Sequence, residues 1–264
     1  MNRLAGKTAV VVGGGQRPGA TIGNGRATAV AFAREGAQVL VVDRDLEAAK
    51  DTVAQIRAEG GNGHPHTADI TRPADCETIP RAATATFGQV DILHNNVGVV
   101  VAAGTEATSY DDWERGLSIN LTGLWLVCRQ FLPLMRAQGH GVVLNISSLA
   151  GLLPGANPYS IAKNGVNALT RGLALEYAPH GIRVNAIVPG MIDTPIGVDR
   201  VADATGRDRD EIAAARAAQV PMRRQGSAWD IANAAVFLAS DEASYITGAV
   251  LPVDGGSALH TSTN

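Results

Sequence analysis

A phenol and an amine stand four residues apart in "YSIAK", at Tyr159 and Lys163, and that separation puts two side chains on one face of a helix. The pair suits acid–base chemistry. An ammonium beside a phenol stabilises the phenolate and lowers its pKa, so the tyrosine can exchange a proton with an alcohol or a carbonyl near neutral pH. Tyr-x-x-x-Lys alone is commonplace on exposed helices, and its neighbours give it weight. Upstream, "VVLNISS" ends in Ser147 and Ser148, at the end of a strand where a hydroxyl can hold a substrate oxygen. Ser148 is the expected contact, and Ser147 satisfies local backbone. Further back, Asn120 lies inside the helical pattern "SINLTGLWLVCRQFLPLM". An amide there either interrupts the helical ladder and holds a water, or makes a plain buried hydrogen bond.

These side chains need a scaffold, and the chain supplies alternating strand and helix patterns. Apolar runs at 8–12, 38–43, 90–96, 141–148, 182–190 and 249–256 read as strands buried on both faces, with helices predicted at 46–58, 74–86, 109–137, 160–178 and 227–239. The expected architecture is α/β, a doubly wound parallel sheet with helices on both faces. The polar stretch 194–220 reads as a mobile flap over the substrate.

The first strand leads into "GGGQRPGATIGNG" and then a helix. A glycine loop in that context brings backbone N–H groups to a helix N-terminus, where a pyrophosphate is favoured. Gly14, Gly23, Asn24 and Gly25 are the expected cradle. Asp43 ends the second strand eighteen residues after Gly25, where a carboxylate can accept from an adenosine ribose and repel the 2′-phosphate of NADP. The alternative is a cap for the next turn, and Arg44 beside it pulls the other way. The loop is longer than the motif requires, with Gln16, Arg17 and Pro18 at its tip. Arg17 either contacts the adenosine side of the cofactor or sits on a bulge facing solvent.

Composition excludes much else. The 264 residues carry a net charge of −3, with 45% hydrophobic and 18% charged residues, which suits one globular domain over 1–264 and gives no basic field for nucleic acid. Two cysteines, Cys76 and Cys128, provide neither metal spacing nor a disulfide framework, so a reducing compartment is expected and no metal. The N-terminal apolar run is too short for a signal or membrane span. A cytoplasmic location is the expectation.

In order and spacing, several motifs together resemble the short-chain dehydrogenase/reductase family. They are the loop ending "GNG", Ala68–Asp69, "NNVG" at 95–98, the Asn120 helix, "NISS", "YSIAK", "VPGMIDTP" at 188–195 and "VDGG" near the C-terminus, and the resemblance covers nearly the whole chain. It implies a seven-stranded Rossmann-type sheet and a catalytic tetrad of Asn120, Ser148, Tyr159 and Lys163. Tyr159 would be the general acid/base, Lys163 would hold the nicotinamide ribose, Ser148 the substrate oxygen, and Asn120 a proton-relay water. Asp69 and Ile70 would flank adenine, Asn96 and Gly98 would lie along the cofactor, and Pro189, Gly190, Ile192 and Thr194 would line the nicotinamide amide. It also implies a homotetramer built on the helices of Asn120 and Tyr159. The sequence departs from the family pattern in its long glycine loop, in a short "LAGLLPGANP" segment, and in His94, which replaces an apolar residue. That histidine is read as a hydrogen-bonded strand residue, with catalysis as the alternative.

The expectation is an NAD-dependent oxidoreductase interconverting a secondary alcohol and a ketone. An NADPH-dependent ketoreductase, for example on 3-oxoacyl thioesters, is the second reading. A non-catalytic NAD-binding sensor is the third. The partner is a small-molecule alcohol or ketone.

Overall fold

β1 (Thr8–Val12) shows how the sheet is built: Ala9 and Val11 face one apolar layer, and Val10 and Val12 face another. Alternation of side chains across a strand makes one short run serve two cores. The computed structural model describes residues 2–101 and 104–259. The further strands are β2 (Gln38–Asp43), β3 (Asn62–Thr67), β4 (Ile92–Asn95), β5 (Gly141–Ile146), β6 (Ile182–Pro189), β7 (Ile192–Asp193), β8 (Gly226–Ser227) and β9 (Val250–Val253). Seven form one parallel sheet in the order β3-β2-β1-β4-β5-β6-β9, and β7 pairs with β8 apart from it. The expected sheet is present. The order in which successive strands are added reverses between β1 and β4, and the crevice there is where ligands bind in such sheets.

The helices are α1 (Asn24–Arg34), α2 (Leu46–Ala58), α3 (Pro73–Phe87), α4 (Tyr110–Leu117), α5 (Gly123–Gln138), α6 (Pro158–Tyr177), α7 (Arg200–Thr205), α8 (Arg209–Gln219) and α9 (Ala228–Ala239). Phe32 of α1 and Ile231 and Val236 of α9 pack on the Val11 side, and Phe131 and Met135 of α5 with Val166 and Leu173 of α6 on the Val10 side. Side chains fix where helices begin. Asp45 accepts from two amides of α2, Ser109 caps α4, and Asn157 caps α6 with Pro158 in its first turn, all by the usual N-cap chemistry.

Three features differ from the sequence reading. β3, "NGHPHT", has no apolar alternation and was not expected as a strand; it lies at one edge of the sheet, where Pro65 is tolerated. The other edge strand, β9, also contains a proline, Pro252. The helix predicted over 109–137 is two helices joined by a widened turn over Ser118–Thr122, in which Gly123 N–H reaches back to Ser118 O. The 194–220 stretch is mostly helical: a widened turn at Pro195–Asp199, then α7 and α8.

Candidate active site

Tyr159 sits in the first turn of α6 and Ser148 two residues after β5, with the Ser148 hydroxyl near enough to the phenol to lower its pKa. Ser148 also accepts from Ala150 N–H at 3.2 Å. Ser147 points the other way. Its buried hydroxyl donates to the carbonyl of Lys163 at 3.0 Å, tying the strand end to the helix. Lys163 is buried, donates to the carbonyl of Ile146 at 2.8 Å, and has its Nζ 5.8 Å from the Tyr159 ring centre.

Burial governs the acidity of both groups. It penalises the ammonium and brings Lys163 down to about 8, and it pushes the Tyr159 phenol above its ordinary value despite the opposing influence of the Ser148 hydroxyl. The sequence reading expects a phenol depressed by its lysine, whereas burial raises it. Desolvation at Tyr159 outweighs a lysine that spends a hydrogen bond on Ile146.

Asn120 lies in the widened turn and is fully buried. Its Oδ1 accepts from Val99 N–H at 3.0 Å, and its Nδ2 donates to Val99 O and Gly116 O, each at 2.9 Å. Both amide hydrogens are thus committed to backbone, and the side chain splints the loop after β4 to the helix. A β-carbon on Gly98 would stand 3.2 Å from Asn120 Oδ1 and 3.3 Å from Lys163 Nζ. Asn120, Gly98 and Lys163 therefore converge beside Tyr159.

The glycine loop forms a tight cradle. A β-carbon on Gly25 would lie 2.0 Å from the carbonyl oxygen of Gly13, and Asn96 Nδ2 donates to that same oxygen at 3.0 Å. Gly13 has φ +78°, which favours glycine. Gly14 is required for packing, since its β-carbon would meet Val41 at 2.8 Å. No side chain caps α1, whose N-cap is Gly23, and the buried Asn24 Oδ1 has no hydrogen-bond partner among the described residues. An uncapped helix N-terminus with close backbone approach suits an anion. The residues present fit a dinucleotide.

Asp43 ends β2 beside this cradle. Its carboxylate accepts from Gly15 N–H at 3.0 Å and Asp45 N–H at 3.1 Å; burial raises its pKa and these amides oppose the rise. A cleft of about 650 Å³ lies alongside, with Arg44, Thr67, Asp69 and Arg72 in its lining. Asp69 Oδ1 accepts from the amide and hydroxyl of Thr71, while Ile70 is buried against Gly123. At the far end of the crevice, Pro189 closes β6, Gly190 packs where a β-carbon would meet Asp254 at 2.6 Å, Ile192 is buried in β7, and Thr194 Oγ1 accepts from Gly197 N–H at 3.1 Å.

One expectation is corrected. His94 faces the Phe32 layer, edge-on to that ring at 5.9 Å, with neither ring nitrogen partnered among the described residues, and burial lowers its pKa to about 3. It is a neutral core residue, neither hydrogen-bonded nor turned to the tetrad. The loop extension is exposed over 17–20 and is anchored past its tip, where Ala20 and Thr21 bond to the 193–199 segment. Arg17 is exposed and has no partner among the described residues. Val99, Asp199 and Arg209 also carry contacts around the site, and no motif in the sequence marked them.

Known proteins resemble the chain over nearly its whole length. A family model described as enoyl-(acyl carrier protein) reductase matches residues 19–258. The 2,5-dichloro-2,5-cyclohexadiene-1,4-diol dehydrogenase of Sphingobium indicum is 39% identical, with 97% of each chain covered. The 3beta-hydroxysteroid dehydrogenase 1 of Eggerthella lenta is 40% identical, covering 97% of this chain and 95% of that one. Among solved structures, a short-chain dehydrogenase/reductase from Burkholderia xenovorans has TM-score 0.93 at 42% identity, covering 99% of this chain and all of that one. Levodione reductase has TM-score 0.91 at 35% identity, covering 98% and 100%. The chain belongs to the short-chain dehydrogenase/reductase family. It is an oxidoreductase acting on CH–OH groups, and the family implies a nicotinamide cofactor. Among the described residues no helix is long and apolar enough to cross a membrane, and no cluster of three or more candidate ligands could hold a metal.

Proposed function

We propose that the protein is an NAD-dependent dehydrogenase that interconverts a secondary alcohol and a ketone on an alicyclic substrate. The observation that carries this reading is the convergence of Ser148, Tyr159 and a buried Lys163, with Lys163 Nζ 5.8 Å from the Tyr159 ring centre. Bound nicotinamide supplies the hydride acceptor or donor. Ser148 Oγ holds the substrate oxygen, and Tyr159 Oη exchanges the proton on it. Lys163 holds the nicotinamide ribose, and the widened turn at Asn120 holds the relay water through which the proton leaves. Gly14, Gly23, Asn24 and Gly25 cradle the pyrophosphate, Asp43 takes the adenosine ribose, and Asp69 and Ile70 flank the adenine. Asn96 and Gly98 run along the cofactor to Pro189, Gly190, Ile192 and Thr194 at its amide.

The preference for NAD rests on Asp43, whose carboxylate is anchored by two amides at the ribose end of the crevice. The alicyclic class rests on two relatives named for ring alcohols. A homotetramer through α5 and α6 draws support from Trp125 and Ile161, large apolar side chains exposed on those helices. The segment 194–220 would cover the substrate. An NADPH-dependent ketoreductase is the second reading, favoured by Arg44 and Arg72 in the cleft beside Asp43. The test is NADH absorbance with cyclic and acyclic secondary alcohols and ketones, repeated with NADP. Turnover confined to cyclic substrates with NAD is expected. Turnover with NADP alone would establish the second reading, and no turnover with any secondary alcohol or ketone would overturn both.

A further inference from the structure

The surplus in the glycine loop is fastened at both ends. Within the loop, the Gln16 side chain closes the detour: its Nε2 donates to Thr21 O at 3.1 Å, and its Oε1 accepts from Gly23 N–H at 2.7 Å. Outside it, Ala20 N–H donates to Asp199 Oδ2 at 2.9 Å and the Thr21 hydroxyl to Asp193 O at 3.3 Å. The approach is close enough to require glycine nearby, because a β-carbon on Gly19 would stand 2.4 Å from Asp199 Oδ2 and 2.7 Å from Pro195 Cβ.

Asp199 has a second partner on the cap. Its Oδ1 accepts from Arg209 Nε at 2.7 Å, and the same guanidinium donates through its Nη2 to Asp193 Oδ1 at 2.5 Å. Asp199 is the more enclosed carboxylate, with its side chain 15% exposed against 30% for Asp193. Charge-assisted bonds of this kind are stronger than neutral ones and fix geometry. One carboxylate therefore joins three pieces: the loop that enters α1, the turn after Thr194, and the first residue of α8.

We infer that Asp199 is a positioning residue that couples the dinucleotide turn at Gly23–Gly25 to the cap over 195–219, with the 16–21 extension as the link. An anion settling on the α1 N-terminus restrains Gly23. Gly23 is bonded to Gln16, Gln16 to Thr21, and the next residue back, Ala20, to Asp199. The cap is then set in place by the occupied turn through a contiguous chain of bonds, which gives the long loop a function that a minimal glycine turn lacks. The identity of the anion rests on the dinucleotide reading above; the link itself does not.

Hydrogen exchange on the full chain tests both parts. Without nucleotide, Asp199→Ala should speed exchange of the 15–22 amides by about tenfold, although the substitution lies far away in sequence. Unchanged exchange there overturns the link. With NAD at saturation, set by calorimetry, the unsubstituted protein should gain protection over both 23–34 and 200–219, and Asp199→Ala over 23–34 alone. Protection of 200–219 that persists in Asp199→Ala, or is missing from the unsubstituted protein, overturns the coupling. Calorimetry showing no NAD binding would instead sink the dinucleotide reading, with the nucleotide-free arm still deciding the link. Gly19→Ala approaches the same contact from the loop and should reproduce the exchange pattern, while Asp199→Glu should restore part of it. At saturating NAD, substrate KM should rise about tenfold in Asp199→Ala with kcat changed much less, as expected when uniform substrate binding is lost.

Discussion

The ammonium of Lys163 lies 5.8 Å from the ring centre of Tyr159, and its 2.8 Å bond goes to the carbonyl of Ile146 rather than to the phenol. The end of β5 holds the lysine through Ile146, and the segment that follows sets Ser148 beside the phenol. Tyr159→Phe keeps the ring's volume and deletes the proton donor. Turnover should fall by about 10²- to 10⁴-fold, with NAD affinity and thermal midpoint nearly unchanged. Steady-state rates beside calorimetry decide it, and near-normal turnover rejects Tyr159 as the acid/base.

Lys163 also makes stability depend on alkaline pH. Its folded pKa of about 8 lies below the ordinary 10.5, so between those values the unfolded chain binds more protons and stability rises with pH. Urea midpoints should therefore climb from pH 8 towards 10.5 in the unsubstituted protein relative to Lys163→Met. The variant should also bind NAD more weakly. Parallel pH profiles for the two proteins reject the buried ammonium.

His94 produces the same sign of slope at acid pH. Its folded value is about 3 against an ordinary 6.5, so stability is lost as pH falls through that window, at about 1.4 kcal/mol per pH unit where the difference is fully developed. His94→Leu removes two unpartnered buried nitrogens as well as the proton site. The variant should hold its melting temperature at pH 4 better than the unsubstituted protein. Equal acid sensitivity counts against this assignment.

Asp43→Ser should narrow the preference for NAD over NADP, because it removes a fixed negative charge and a ribose acceptor while leaving Gly15 and Asp45 amides free to meet a phosphate. Titrating both nucleotides into both proteins checks it. Tighter NADP binding by the unsubstituted protein would show that Arg44 and Arg72 outweigh the carboxylate.

Strands buried on two faces were readable because runs such as "TAVVV" and "QVLVVD" have no soluble alternative, and the helix expected over 46–58 matches α2, whose start Asp45 caps. β3 was hidden, since "NGHPHT" is a strand only by virtue of its pairing with β2. The positions of Tyr159, Lys163 and Ser148 followed from local spacing, which survives folding. What spacing could not carry was competition between environments: whether burial or a neighbouring ammonium sets the phenol's acidity, and whether Asn120 spends its amide on water or on Val99. The Asp199 contacts join residues 179 positions apart, and no window along the chain contains both partners.

The prolines at Pro65 and Pro252 sit in the two outermost strands. Proline has no N–H to offer, so a foreign strand laid along either border would find a gap in the row of donors where it needed an unbroken one. The sheet is finished at seven strands on both sides. Each border is thereby a poor template for extending the ladder into a neighbour.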